Sequence, residues 1–130
     1  MQGLTKVHIL ILGLDEALGT ELKNALREGN QVVRADEAPA GADCCRVIAR
    51  LKPDILFCPA APSCFRNILE AVKQVRPGLP IVVVSRFPEV TEWLDAIEAG
   101  ASDYCAPPFV PAHLRWILET NLTRACPAVA

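Results

Sequence analysis

A chain of 130 residues that is 52% hydrophobic is the size of a single domain, with enough apolar material for a core that needs no staples. Its 13 basic residues are scattered and face 15 acidic ones, for a formal net charge of -2, so the clustered cations that a nucleic-acid backbone demands are missing. The opening apolar run of about eight residues falls far short of the ~20 needed to cross a bilayer, and acidic residues follow it where a cleavable leader would have its cleavage site.

These features lead us to expect a cytoplasmic protein with no nucleic-acid or membrane partner. The six cysteines, Cys44, Cys45, Cys58, Cys64, Cys105 and Cys126, are then expected to be reduced. No Cys-x-x-Cys pair occurs, and neither His8 nor His113 is at zinc-finger spacing from two cysteines, so no metal is expected and small buried hydrophobe is the reading for most of these thiols.

Taken in chain order, residues 7 to 12 (VHILIL) are a continuous apolar run with β-branched members, the pattern of a strand buried on both faces. Asp15 opens a helix with Leu18, Leu22, Ala25 and Leu26 on one stripe, stopped by Gly29 and Asn30. A short strand is predicted over 31–35 (QVVRA), then a helix over 42–51 that turns Cys45, Ile48, Ala49 and Leu51 inward. DILFC (54–58) is the third strand, and a helix over 64–76 carries Phe65, Ile68, Leu69, Val72 and Val75 on its inner stripe. The breaker RPGLP precedes IVVVS (81–85), the plainest strand in the chain. A helix over 89–99 buries a subset of Val90, Trp93, Leu94 and Ile97 before Gly100 ends it. SDYCA (102–106) is the last strand, and the helix over 111–124 turns Leu114, Ile117, Leu118 and Leu122 inward.

Strands alternating with helices through short connections predict an α/β fold, a doubly wound parallel sheet covered by helices on both faces. No linker or repeat interrupts it, so one domain over 1–124 is expected, with 125–130 (ACPAVA) a frayed tail.

Three segments together carry a family likeness. ILILGLDEALGTELKNALREGNQV resembles the opening of a bacterial response-regulator receiver domain, KPDILFC its central strand, and LPIVVVSRFPE with AIEAGASDYCAPPF its last third. The match runs from about residue 6 to 122, and IEAGASDY followed two residues later by PPF is its most specific part. The resemblance implies the flavodoxin-like, CheY-like strand order 2-1-3-4-5.

It also implies a chemistry that can be checked position by position. Such domains carry a phosphoacceptor aspartate at the end of the third strand and an acidic pair after the first that helps to hold Mg²⁺. A serine or threonine follows the fourth strand, and a lysine precedes a proline after the fifth. Here the acceptor position is Pro59, whose ring has no nucleophilic atom. Gly13 and Leu14 stand at the acidic pair, or Leu14 and Asp15 if the match is shifted by one. Pro107 stands at the lysine, while Ser85 survives and is followed by Arg86 where the family generally has a small residue. The family's bond before the proline is cis, so Pro108 is expected to be cis.

The chain therefore resembles a degenerate receiver, a pseudo-receiver in two-component-type signalling, expected to be neither phosphorylated at the usual position nor an enzyme. Mg²⁺ binding is expected to be lost, since a hard cation cannot trade carboxylates for hydrocarbon. Trp93, Tyr104 and Trp116 fall on the fourth helix, fifth strand and fifth helix, the face through which receivers dock a protein partner or a second copy. Their bland alternative is that the indoles face the sheet.

Other readings of the same residues stay open at this point. Ser85 and Arg86 can bind a free anion, but the favoured alternative has Arg86 projecting into water or paired with Glu89. Cys58, Cys64 or Cys105 can act as a thiol sensor only with exposure and a lowered pKa. Asp15 and Asp54 are poor displaced acceptors: the first suits a helix start and the second is at the wrong end of its strand. A flavin domain of the same topology is set aside, because GLDEALG is acidic where a phosphate loop is needed.

Overall fold

The structure is a computed structural model and describes residues 7–29, 33–39, 43–59, 62–85 and 90–125. Strand β1, Val7–Leu12, shows how the sheet divides the core. Successive side chains of a strand point to opposite faces, so Ile9 and Ile11 enter one apolar cluster while Leu10 and Leu12 enter the other.

The remaining elements follow in alternation: α1 Glu16–Gly29, β2 Val33–Ala38, α2 Cys44–Leu51, β3 Ile55–Pro59, α3 Pro62–Val75, β4 Ile81–Val84, α4 Val90–Ala99, β5 Asp103–Cys105 and α5 Pro111–Ala125. The strands are parallel and lie in the order β2-β1-β3-β4-β5, as expected. Helices α1 and α5 close one face with Leu18, Leu22, Leu26, Leu114, Ile117 and Leu118. Residues of α2, α3 and α4 close the other, among them Ile48, Ile68, Val72 and Ala96. Strands β3 and β4 are covered on both sides, which is why ILFC and IVVV carry no polar residue.

Several boundaries differ from the sequence expectation: α2 starts at Cys44 rather than 42, α3 is Pro62–Val75 rather than 64–76, β4 ends at Val84 rather than 85, and β5 is Asp103–Cys105 rather than 102–106. β2 runs on to Ala38 rather than ending at Ala35, because it pairs with β1 along its whole length, from Val7 with Val33 to Leu12 with Ala38. As an edge strand it accommodates Arg34, Asp36 and Glu37, residues whose polarity reads as loop; residues 31 and 32 lie outside the described residues. β3 is displaced by one, so that Asp54 precedes it and Pro59 is its last member.

In α2 the inner face is Cys44, Val47, Ile48 and Leu51, while Ala49 is exposed and Cys45 is half-buried with its Sγ donating to Gln74 Oε1 at 3.7 Å. The helix begins where Asp43 caps it, Oδ1 accepting from the Arg46 amide at 3.2 Å, and that start sets the phase. In α4, among the described side chains, Ala96 is buried in the cluster with Ala101, while Leu94 and Ile97 are 46% and 38% exposed. The subset of α4 residues expected inward is thereby narrowed to Val90 and Trp93, whose side chains lie outside the described residues, as does that of Phe65.

The end of the sheet where β1 and β3 begin is polar. His8 Nε2 lies 2.6 Å from Asp36 Oδ2, and Arg34 Nε is 3.5 Å from the same oxygen. The His8 amide donates to Asp54 Oδ2 at 2.9 Å, and the Asp54 amide returns a bond to the His8 carbonyl at 2.7 Å. Asp54 thus serves the start of β3, at the opposite end from Pro59.

Lys52 ends α2 in the left-handed region, φ 50° and ψ 57°, with its amide donating to the Ile48 carbonyl at 2.9 Å. A side chain there costs about 1 kcal/mol that glycine avoids. We expect Lys52→Gly to raise stability by about that amount, read as a higher urea midpoint at unchanged slope; a lowered midpoint would contradict the cap geometry.

Candidate functional site

The carboxyl ends of β1, β3, β4 and β5 define the pole where ligands of such a sheet bind. After β1 the chain turns at Gly13, φ 83°, whose amide donates to the Ala38 carbonyl at 2.9 Å. That positive φ is a glycine conformation. Leu14 then packs, half-buried, against the α1/α5 cluster. Asp15 is exposed and caps α1: Oδ1 accepts from the Leu18 amide at 2.8 Å, and its carbonyl accepts from the Gly19 amide at 2.8 Å. The last acid of β2, Glu37, is paired through Oε2 with Lys23 Nζ at 2.6 Å.

Pro59 ends β3 half-buried, in register with Val84 and directly after the fully buried Cys58. Ser85 follows β4 and is 7% exposed, its amide donating to the Cys105 carbonyl at 3.0 Å. Arg86, with Glu89, lies outside the described residues, so the anion site built on it has only its serine half described. After β5 the Pro107-Pro108 peptide bond is cis, the isomer expected at Pro108, with Pro107 half-buried and Pro108 exposed. Phe109 then packs into the α1/α5 cluster beside the residues that hold Leu14.

The structure therefore brings Gly13, Leu14, Pro59, Ser85 and Pro107 to one end of the sheet, with Asp15 at its rim. Phe109 is the contributor that sequence reasoning did not single out, although it closes the PPF signature.

Burial sets the chemistry of the thiols at this pole. Cys105 is 4% exposed, and its pKa is pushed up to about 12, first by desolvation and then by the negative charge of Asp103. A thiol that keeps its proton is neither a nucleophile nor a ready target of oxidants. The Cys64 side chain lies outside the described residues.

The Mg²⁺ that the resemblance brings with it requires oxygen ligands in an octahedral array. Pro59 and Leu14 present carbon, Gly13 has only backbone, and an oxygen of Asp15 is engaged at the start of α1. Among the described residues no group of three or more His, Cys, Asp or Glu side chains is arranged to hold a metal ion. At the positions that the resemblance gives to the cation, Asp15 is the one described side chain with a carboxylate.

On the flank, Trp116 of α5 is 56% exposed and its indole stacks on the His113 ring, centroids 6.4 Å apart and planes 21° from parallel. It is exposed, off the inner stripe of Leu114, Ile117 and Leu118, where the sequence left its orientation open. Tyr104 is half-buried and packs against the α2/α3/α4 cluster. Among the described residues the exposed large apolar side chains are Leu94, Ile97, Val110 and Trp116, all in the last third of the chain.

The same backbone recurs in solved structures. A response regulator from Thermotoga maritima matches with a TM-score of 0.75 at 17% identity, over 91% of this chain and 98% of that one. The chain has the receiver-domain fold. An orphan response regulator of H. pylori shares this receiver fold with a TM-score of 0.71 at 21% identity, over 89% of this chain and 96% of the other. NtrX from Brucella abortus matches at 0.77 and 20% identity over 93% of this chain, which spans only 28% of NtrX. No family model and no curated protein sequence matches. No helix among the described residues is long and apolar enough to cross a membrane.

Proposed function

We propose that this chain is a receiver-type domain of two-component signalling that takes no phosphoryl group and acts through protein contact, without catalysis or Mg²⁺. The observation that carries the reading is Pro59 at the end of β3, in register with Val84. A pyrrolidine ring supplies no lone pair for attack on phosphorus, and the positions around it reinforce the point. Leu14 and Phe109 pack into the core, Pro107 offers no cation, and Asp15 is used by its own helix. Phosphoryl transfer rests on positioned charge, and Leu14, Pro59 and Pro107 supply carbon at three of the positions that would carry it. Asp54, the acid nearest in sequence, serves the far end of β3. Burial of Cys58 and Cys105 supports packing over thiol sensing.

The test is incubation of the intact chain with acetyl phosphate, and separately with a beryllium fluoride mimic, each with Mg²⁺. The expected result is no added phosphate in the intact mass and no metal-dependent change in melting temperature, because a ligand of the folded state must raise it. A phosphorylated species that survives desalting would overturn the proposal.

The partner surface on this reading is the flank of α4, β5 and α5, including self-association. A half-exposed indole is costly to leave in water and is a frequent anchor of binding energy, with truncation to alanine costing ~2 kcal/mol or more in a hot spot. Trp116→Ala should therefore weaken self-association tenfold or more in sedimentation across a concentration series. Its melting temperature should stay near that of the parent chain, since surface substitutions fall within about 0.5 kcal/mol. A parent chain that stays monomeric throughout the series would remove self-association from the reading.

A further inference from the structure

We draw no further inference here: the strongest candidate, the set of exposed apolar side chains formed by Leu94 and Ile97 on α4 with Val110 and Trp116 at α5, belongs to the partner surface already proposed, and nothing in the structure shows what covers it.

Discussion

Raising the pH from 9 to 12 should remove folding stability, on the order of a few kcal/mol, through one thiol, Cys105. Its pKa stands at about 12 against an ordinary 9.0, chiefly because burial withholds water from the thiolate and secondarily because Asp103 repels it. Below pH 9 the folded and unfolded chains both hold the proton, so this group adds no pH dependence. Between pH 9 and 12 the unfolded chain releases the proton and the folded chain keeps it. The unfolded state then binds fewer protons, and stability falls by about 1.4 kcal/mol per pH unit. Other titrating groups act in the same range, so the measurement is a difference. Urea midpoints of the parent chain and of Cys105→Ala are followed under reductant from pH 8 upward. The variant should be the less stable at pH 8, having lost buried volume, and the gap should close or reverse as the pH rises. A gap that stays constant would show that the thiol is not desolvated in the fold.

Phe57→Ala should cost 3 to 5 kcal/mol, roughly the expected loss for a fully buried phenyl ring. Phe57 is 0% exposed in the middle of β3, in register with Ile11 on one side and Val82 on the other, and its ring joins the α1/α5 cluster. Domains of this size are stable by only about 5 to 15 kcal/mol in total, so the variant should melt far below the parent or fail to fold at ambient temperature. Trp116→Ala is the control, because it removes a larger side chain from a position that is 56% exposed. Equal losses from the two would contradict the division into core and surface that the sheet imposes.

The elements that were legible in the sequence are those whose burial is decided by the element itself. ILIL, the buried part of β1, and IVVV are short unbroken apolar runs, the pattern of a parallel strand covered on both faces. The α1 and α5 stripes are long enough for the period to show, and Leu22, Leu26, Leu114 and Ile117 are all fully buried. Where a neighbour decides, the sequence was silent. The continuation of β2 through Asp36 and Glu37 depends on pairing with β1. The phase of α2 rests on the cap at Asp43, three residues from the amide it satisfies, and an eight-residue helix gives the apolar period little room to correct an error.

At the candidate site the positions came from resemblance, and only their chemistry came from the residues themselves. Proline at 59 excludes a nucleophile wherever the chain places it. That Leu14 and Phe109 both pack against one cluster needs coordinates, since they stand 95 positions apart in the numbering and share it only because β1 and β5 end at the same pole. The elevated pKa of Cys105 was equally hidden, because desolvation is a property of the surrounding atoms.

The ring that closes β3 also limits what one substitution there can achieve. Pro59→Asp alone would set a carboxylate beside Cys58 and Val84 with neither a counter-ion from position 107 nor a second acid from position 14, leaving its charge uncompensated. On the proposed reading, an acceptor site at this pole therefore calls for concerted change at positions 14, 59 and 107, and a single exchange at any one of them stays without effect on phosphoryl transfer.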